Sequence, residues 1–343
     1  MNSDLNQAFV VGLDAGGTRT RAVLADLGDG RPRGEGTAGP GNALTVSGPD
    51  LAGHLTEALS QAVPAPLRAR VAAVAGGFAG AGHQAQGADE PGRVRARTAL
   101  TTALARLGIT AGTVDVHSDI ETAFAAAPGH PADGLVLVAG TGAVAARIAA
   151  RVPAATSGGD GWLLGDDGSG FWIGRAAVRA TLRAADGRGA PTALVRAVGR
   201  ELGLPPGVLP PEGYGITDTA RWSATLRTAY RAHLLPAVMD RPPVRLADHA
   251  PLVVAAAQEK DAVAAEILRE AARRLAGSVE ALAPRPGEPL VVTGGLLAPH
   301  GPLLTPLTEG LAHLALTVTP VSDGSPGAVA LARLAALAHR PRP

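Results

Sequence analysis

The stretch that decides the fold is Val10 to Thr20, with the sequence VVGLDAGGTRT. An apolar run from Phe9 to Leu13 leads into a single carboxylate, Asp14, and then into the turn Gly16 to Thr18. β-Branched and apolar residues resume at once from Thr20, which is the pattern of a strand, a tight glycine turn and a second strand. The sequence therefore predicts a β-hairpin that carries an acidic side chain at its mouth.

This turn suits a polyphosphate. Successive glycines let backbone N–H groups converge on an anion, and Thr18 adds a hydroxyl donor. Asp14 would lie beside the phosphates, where negative charges can coexist when Mg²⁺ lies between them. We therefore expect ATP contacts from Gly16, Gly17 and Thr18 and a metal contact from Asp14. The alternative is an ordinary hairpin turn, because a glycine-rich turn alone is a weak signal.

Length and charge restrict the classes of protein. The chain has 343 residues, which suits two domains with a cleft between them. The formal charge is +1 and the arginines are scattered, so the sequence has no basic cluster of the kind that binds nucleic acid. The first residues lack the basic and apolar regions of a signal peptide, and the apolar run from Leu135 is cut by Arg147. We expect a cytoplasmic protein with no membrane or nucleic-acid partner.

Two residue types are informative by their scarcity. Cysteine is absent, which excludes disulfides, cysteine-ligated zinc, iron–sulfur clusters and thiol nucleophiles. Lys260 is the only lysine, and it lies in a polar stretch predicted to be helical, far from every glycine loop. A P-loop or protein-kinase site needs a lysine on the phosphates. If ATP is bound, its charge must be met by Mg²⁺, backbone N–H groups and arginine.

The same order of elements occurs twice along the chain. Leu135 to Gly142 predicts a strand that enters a glycine turn, as in the first hairpin. PLVVTGGLL from Pro289 resembles VAAVAGGFA from Val71, and VTPVSD from Val318 resembles VDVHSD from Val114. Three landmarks in the same order imply an internal duplication, and hence two similar α/β domains whose glycine turns face one cleft.

The spacing of apolar residues between these landmarks predicts the helices. They cover Pro49 to Ala62, Pro91 to Leu107, Phe171 to Leu182, Leu252 to Leu282 and Ser325 to Ala338. A third strand is predicted at Arg31 to Gly39, and an insertion that the first half lacks begins at Ser157. We assign residues 1–118 to an N-terminal domain and 119–343 to a C-terminal domain, whose last helix is expected to pack back on the N-terminal one.

Four motifs, LDAGGT, VAGTGA, GWLLGDDGSGFWIG and VVTGGLL, occur in this order. With them the chain resembles the N-acetylglucosamine kinase and BadF/BadG/BcrA/BcrD ATPase family, within the sugar kinase, actin and Hsp70 ATPase superfamily. The resemblance covers nearly the whole chain, and GWLLGDDGSGFWIG is its most specific part. It implies an actin-like ATPase fold of two ribonuclease-H-like domains, with ATP in the interdomain cleft.

On the nucleotide side, the resemblance assigns three loops to Mg-ATP. Asp14 to Thr18 match the first phosphate loop of similar proteins. The second phosphate loop and the adenosine loop come from the other half, and their residues are Gly140, Thr141, Gly142, Gly294 and Gly295. The last two glycines are expected to let the backbone approach the nucleotide where a Cβ atom would intrude.

On the sugar side, Asp119 falls where similar kinases carry the aspartate that activates the sugar hydroxyl, and Asn42 resembles their sugar-binding asparagine. Many relatives read Gly-Gly-Trp-Gly where this chain has an aspartate within Gly158 to Gly161. An aromatic sugar contact is therefore lost or moved to Trp162. The sugar contacts expected from this region are Gly159, Asp160, Gly161 and Asp166.

The expected function is ATP-dependent phosphorylation of an amino sugar, N-acetylglucosamine first, to the 6-phosphate, with Asp119 as the base. Glucosamine or another hexose, and a non-catalytic sensor that binds ATP or a sugar, are the alternatives. The electron-transfer branch of the family is excluded, because no cysteine could hold its iron–sulfur cluster. The oligomeric state is left open, with a homodimer as one option.

Capping is the alternative role for the three conspicuous aspartates. Asp119 could cap a helix from Ile120, and Asp166 or Asp167 could cap the helix from Phe171. For Asp166 and Asp167 a capping role and a ligand contact can hold together.

Overall fold

The computed structural model describes residues 8–82, 90–216 and 222–339, and within these ranges the strands form two five-stranded sheets. The strands of the first sheet are β1 Phe9–Ala15, β2 Thr20–Asp26, β3 Pro32–Ala38, β4 Val71–Phe78 and β5 Thr113–Ser118. The strands of the second sheet are β6 Gly134–Ala139, β7 Ala143–Ala149, β8 Val152–Gly158, β9 Pro289–Thr293 and β10 Thr317–Pro320.

The two sheets share one topology. The spatial order is β3-β2-β1-β4-β5 in the first sheet, and β8-β7-β6-β9-β10 in the second. In each, the first three strands form an antiparallel meander, and the fourth and fifth strands join in parallel. The predicted α/β fold of two ribonuclease-H-like units is confirmed, and so is the duplication on which it rested.

The glycine pairs of the two matching segments, VAAVAGGFA and PLVVTGGLL, lie at different positions relative to their strands. Gly76 and Gly77 lie inside β4, where they pair with Leu13 and Asp14. Gly294 instead follows the last residue of β9, with a left-handed φ of +94°. The two glycine pairs therefore have different roles: the first lies beside the acidic end of β1, and the second forms part of a loop.

The helices cover both sheets. In the first half they are α1 Gly48–Ala62, α2 Pro91–Leu107 and α3 Asp119–Ala125. In the second half they are α4 Gly161–Leu164, α5 Gly170–Asp186, α6 Leu194–Glu201, α7 Ala224–Met239, α8 Ala250–Gln258, α9 Ala262–Glu280, α10 Leu304–Gly310 and α11 Ser325–Ala338. Within the described ranges, none of these helices combines the length and the apolar composition needed to cross a bilayer.

The prediction of one helical region from Leu252 to Leu282 is wrong at its middle. The chain breaks at Lys260, which has a left-handed φ of +65°, so this lysine is not within a helix. Asp261 then caps α9, and its Oδ1 accepts a hydrogen bond from the Ala264 amide at 2.9 Å. A buried aspartate in this place favours a helix start over helix continuation.

Two helices cross between the halves. α3 follows the first sheet, yet Phe124 packs in a cluster with Val136 and Ile148 of the second. α11 follows the second sheet, yet Val329 packs with Val10 of the first. Both halves therefore complete their cores with a helix attached to the other half, and the predicted boundary at residue 118 falls immediately before one of them.

Candidate functional site

Asp14 lies near the end of β1, opposite Arg21 of β2. Its Oδ2 accepts a hydrogen bond from the Gly324 amide, at the start of α11, at 3.1 Å. Burial raises the pKa of this carboxyl to about 6, and the charge of Asp323 adds to the rise, while the Gly324 hydrogen bond opposes it. The ionised form is thus under-compensated by the protein, and a cation would stabilise it.

Asp119 is the first residue of α3, directly beyond β5. The alternative role as N-cap is wrong, because Ser118 caps this helix. The Ser118 hydroxyl accepts from the Glu121 amide, and the Glu121 carboxylate accepts from the Ser118 amide at 2.7 Å. Among the described residues, the hydrogen bonds that the Asp119 carboxylate accepts are local, and the one from the Ile120 amide to Oδ1 is 3.0 Å long. The cap is satisfied without Asp119, so its carboxylate is available for another purpose.

The structure brings Asp14 and Asp119 together. Burial raises the pKa of Asp119 to about 7, and the charge of Asp14 is the next largest cause. The charge of Asp14 therefore acts on Asp119, and the two carboxylates lie within electrostatic reach at the same end of the sheet. A carboxylate with a pKa near neutrality is suited to accept a proton at physiological pH.

The first glycine turn is held by backbone hydrogen bonds. The Gly16 amide donates to the Arg19 carbonyl at 2.9 Å, and the Gly41 amide donates to the Gly16 carbonyl at 2.8 Å. A Cβ atom on Gly17 would meet no protein atom within 4 Å. Packing therefore does not require glycine at position 17, whereas the close approach of a ligand would. Thr18 is exposed beside it.

The second turn has the same form. The Gly140 amide donates to the Gly142 carbonyl at 2.9 Å, and the Phe171 amide donates to the Thr141 carbonyl at 3.0 Å. Asp166 supports this turn from behind: its Oδ1 accepts from the Ala143 amide at 3.0 Å. The turn is therefore anchored by the start of α5 and by one carboxylate.

The aspartates of the insertion have partners other than the end of a helix. Ser169 caps α5, with its hydroxyl accepting from the Trp172 amide at 3.2 Å, so the capping role expected for Asp166 or Asp167 is wrong. Asp167 forms an ion pair with Arg274 at 2.8 Å. Burial raises the pKa of Asp166, and the charge of Asp160 adds to the rise. Asp160 and Asp166 therefore lie near each other beside the second turn.

The two glycines expected at the adenosine differ. A Cβ atom on Gly294 would lie 2.3 Å from the carbonyl oxygen of Ala139, so at this position it is the protein itself that leaves no room. Gly295 is exposed, and a Cβ atom there would meet nothing within 4 Å. Of the pair, Gly295 is the one whose open surface suits a nucleotide.

The residues expected at the sugar lie in two places. Asn42 lies beside Gly80, beyond the end of β4, and its Oδ1 accepts from the Leu44 and Thr45 amides at 2.9 and 3.1 Å. A sugar contact from Asn42 would therefore fall to its Nδ2. In the other place, Gly159, Asp160 and Gly161 are exposed, and Trp162 of α4 is 41% exposed with its ring 5.9 Å from that of Phe171.

Sequence reasoning missed three charged residues near Asp14. Arg21 donates to Asp323 at 2.6 Å, which ties β2 to the turn before α11. The repeat VTPVSD contained the signal for Asp323, because it aligns this residue with Asp119. The exposed Arg19 lies within the first turn, and its charge lowers the pKa of Asp14. Arg19 supplies a cation at the turn, where the chain has no lysine.

The metal expected at Asp14 can be tested against the donors present. Across the three described ranges, no group of three acidic, histidine or cysteine side chains is placed to hold a metal. Mg²⁺ in phosphoryl-transfer sites uses one or two carboxylates and completes its shell with phosphate oxygens and water. Asp14, with an under-compensated charge beside an open glycine turn, fits this mode of binding.

Two duplicated ribonuclease-H-like units with glycine turns at matching places define the class of actin-like ATPases. More specifically, the chain belongs to the BadF/BadG/BcrA/BcrD ATPase family, whose model matches residues 11–332. A curated relative, an N-acetylmuramic acid/N-acetylglucosamine kinase from Clostridium acetobutylicum, is 28% identical over 188 residues. That match covers 54% of this chain and 57% of the relative, so it spans little more than half the relative's length.

Two solved structures share the fold. A candidate N-acetylglucosamine kinase from Porphyromonas gingivalis superposes with a TM-score of 0.69 at 20% identity, over 95% of this chain and 99% of that one. Another candidate N-acetylglucosamine kinase, from Chromobacterium violaceum, superposes with a TM-score of 0.65 at 23% identity, with the same coverage. At these identities the likeness establishes the fold.

Proposed function

We propose that this protein is an ATP-dependent kinase that transfers the γ-phosphoryl group to the 6-hydroxyl of an amino sugar, N-acetylglucosamine first. The observation that carries the proposal is Asp119. Its carboxylate lies at the carboxyl end of β5 close to Asp14, without a capping duty, and with a pKa raised to about 7. Ligands of open α/β sheets bind at this edge.

The raised pKa argues against a sensor that only binds. A pKa displaced upward from 3.8 to about 7 means that the ionised carboxylate destabilises the folded protein at neutral pH, by about 1.4 kcal/mol per unit of displacement. This cost favours a catalytic role over binding alone. A kinase uses the raised pKa, because a base with a pKa near the working pH accepts a hydroxyl proton efficiently.

Phosphoryl transfer needs positioning and charge neutralisation more than covalent chemistry. In our proposal, Asp119 accepts the proton of the attacking hydroxyl, and Asn42 orients the sugar through Nδ2. The segment Gly159 to Gly161 and Asp166 border the sugar on the other side. The resemblance suggests these roles, and the places of Asp119 beyond β5 and of Asp166 beside the second turn support them.

The nucleotide would lie between the two glycine turns. Backbone amides of Gly16 to Thr18 and Gly140 to Gly142 would bind the phosphates, and Arg19 would add a positive charge. Asp14 would hold Mg²⁺, which when bound neutralises phosphate charge. Gly295 would leave room for the adenosine.

N-acetylmuramic acid is the second candidate substrate, because the relative from Clostridium acetobutylicum is named for both sugars. This chain also has Asp160 where many relatives have tryptophan, so the wall of the sugar site differs from theirs. Glucosamine and other hexoses test how far the site requires the N-acetyl group.

The test is ADP release measured with a coupled enzyme, with Mg-ATP and each sugar in turn. We expect N-acetylglucosamine to raise ADP release well above the rate without sugar, and the product to carry phosphate on the 6-oxygen by NMR. Calorimetric binding of ATP and sugar with no turnover for any of these sugars would instead identify a sensor. Removal of Mg²⁺ with a chelator should abolish turnover.

A further inference from the structure

Arg93 has an arrangement that structural needs do not explain. It lies in the first turn of α2, its side chain is only 8% exposed, and its Nη1 is buried without a hydrogen-bond partner. A buried cation without a partner destabilises a protein by several kcal/mol unless a ligand compensates it. Buried polar groups in native structures are otherwise satisfied in the great majority of cases.

The nearby acid is already engaged. Glu90 caps α2, and its two oxygens accept hydrogen bonds from the backbone amides of Gly82, Gly92 and Arg93 at 2.7–2.9 Å. The charge of Arg93 helps to lower the pKa of Glu90, but no hydrogen bond joins the two side chains. The Arg93 guanidinium therefore retains donors for an external acceptor.

The surroundings of Arg93 connect it to the sugar side of the site. The preceding residue, Gly92, packs so closely on Gly80 that a Cβ atom would lie 1.9 Å from the Gly80 carbonyl oxygen. Gly80 in turn lies against the Oδ1 of Asn42. Two residues beyond Arg93, Arg95 donates to the Val46 carbonyl at 2.7 Å, which fixes the Asn42 turn on α2.

The topology places this helix start at the active edge. α2 connects the parallel strands β4 and β5, so its first turn lies at their carboxyl ends. β1 is parallel to β4, which puts Asp14 and Asp119 at the same edge. An unpaired guanidinium here would meet a substituent of the sugar rather than the triphosphate, which the two glycine turns would bind.

We infer that Arg93 is a specificity-determining residue that binds a carboxylate on the substrate, so that an acidic N-acetylated amino sugar is preferred over N-acetylglucosamine, the sugar that the proposed function puts first. The inference rests on the proposed kinase function and narrows it. A guanidinium pairs with a carboxylate through two parallel N–H···O bonds, and such charge-assisted bonds are about twice as strong as neutral ones. A neutral sugar would leave the buried Nη1 without an acceptor.

The first experiment uses the wild-type protein and three sugars that share a ring and an acetyl group: N-acetylmuramic acid, its methyl ester and N-acetylglucosamine. The ester keeps the lactyl group but removes its charge. We expect kcat/KM for the acid to exceed that for the ester by about 10- to 100-fold, as for loss of a hydrogen-bonded ion pair. Equal values, or a preference for the ester, overturn the inference.

The second experiment uses Arg93→Met, with Arg97→Met as the matched control on the exposed face of the same helix. Arg93→Met should lower the ratio of kcat/KM for the acid to that for N-acetylglucosamine by about 10- to 100-fold, and Arg97→Met should leave this ratio unchanged. Arg93→Lys, which keeps the charge but not the fork, should fall between.

Stability separates this role from a structural one. Because the unliganded protein buries a guanidinium nitrogen that has no acceptor, Arg93→Met should melt at the wild-type temperature or above it. A lower melting temperature with an equal loss for both sugars would show a structural role and overturn the inference. If N-acetylglucosamine is phosphorylated without preference for the acid, only this inference fails; if the wild type phosphorylates none of the three, the kinase function fails.

Discussion

Two aspartates at equivalent places in the two repeats, Asp119 and Asp323, have pKa values that are shifted in opposite directions. Asp119 follows β5 and Asp323 follows β10, each at the same place in its repeat. Burial and Asp14 raise the pKa of Asp119 to about 7. Asp323 is also buried, but hydrogen bonds from Ser325 and the charge of Arg21 hold its pKa below the usual range.

The contrast indicates different roles for the two equivalent aspartates. Arg21 and Ser325 donate hydrogen bonds to Asp323, which therefore links β2 to the start of α11. Within the described part of the chain, Asp119 accepts hydrogen bonds only from local amides, and the like charges of Asp14 and Glu121 lie nearby. The two repeats share a backbone arrangement at both aspartates, and a few neighbouring side chains shift the two pKa values in opposite directions.

The largest expected effect is on turnover. Asp119→Asn keeps the size of the side chain and removes its basicity, so kcat should fall by at least about 100-fold, since general-base contributions run to ~10²–10⁴-fold. Asp323→Asn, its counterpart, should lower kcat by less than about tenfold, because it acts through the position of Gly324 and Asp14. Steady-state ADP release measures both. Equal losses of kcat in the two variants would contradict the assignment of a catalytic role to Asp119 and a structural role to Asp323.

An intermediate effect is expected at the adenosine loop, where the two glycines can be compared. Gly295→Val should raise the KM for ATP by about tenfold, equal to 1.4 kcal/mol, without changing the melting temperature, because only a ligand would meet its side chain. Gly294→Val should instead lower the melting temperature, since it combines a left-handed φ with a contact to Ala139. A selective rise in the KM for the sugar would show that Gly295 lies elsewhere.

The pH dependence of stability tests the same contrast in the unliganded protein. The folded-state pKa of Asp119 is about 7, against 3.8 for an aspartate in water, so the folded protein binds more protons and loses stability as the pH rises between these values. Asp119→Asn removes this loss. Its melting temperature should exceed that of the wild type by more at pH 8 than at pH 5, with at most about 4 kcal/mol of stability at stake.

Asp323→Asn should change the pH dependence of stability in the opposite direction. The pKa of Asp323 is lowered in the folded protein, so its stabilisation is present above the unfolded pKa and is lost as the pH falls through the folded one. This variant should therefore melt below the wild type at pH 8, with the difference shrinking near pH 3. A variant pair that shifts in the same direction would contradict the assigned charge states.

The sequence predicted the elements with strong local signals. The strand, glycine turn and strand around Asp14, the bounds of α2, and the helix α11 are as expected, because apolar periodicity and turn residues specify them locally. The strand β8 was missed, since Val152–Gly158 reads VPAATSG, without clear apolar alternation. The break at Lys260 was also missed, as the cap at Asp261 competes with a nearly continuous helical pattern.

The site was predictable only in part. Asp14 and Asp119 stand directly after apolar strands, which places them at one edge from sequence alone. Arg21 and Asp323 are 302 positions apart, and nothing local announces their ion pair. The unpaired state of Arg93 is likewise a property of the packed structure, because it depends on Glu90 having already given its oxygens to backbone amides.

The exchange of α3 and α11 has a consequence for the order of synthesis. One face of the first sheet, with Val10 and Val23 at its centre, is covered by Val329 and Ala332 of α11. The ribosome synthesises that helix some 300 residues after β1. Until then, the apolar face of the first sheet stays exposed to solvent. Separately expressed halves should therefore be poorly soluble alone and regain order when mixed, each supplying the other's missing helix.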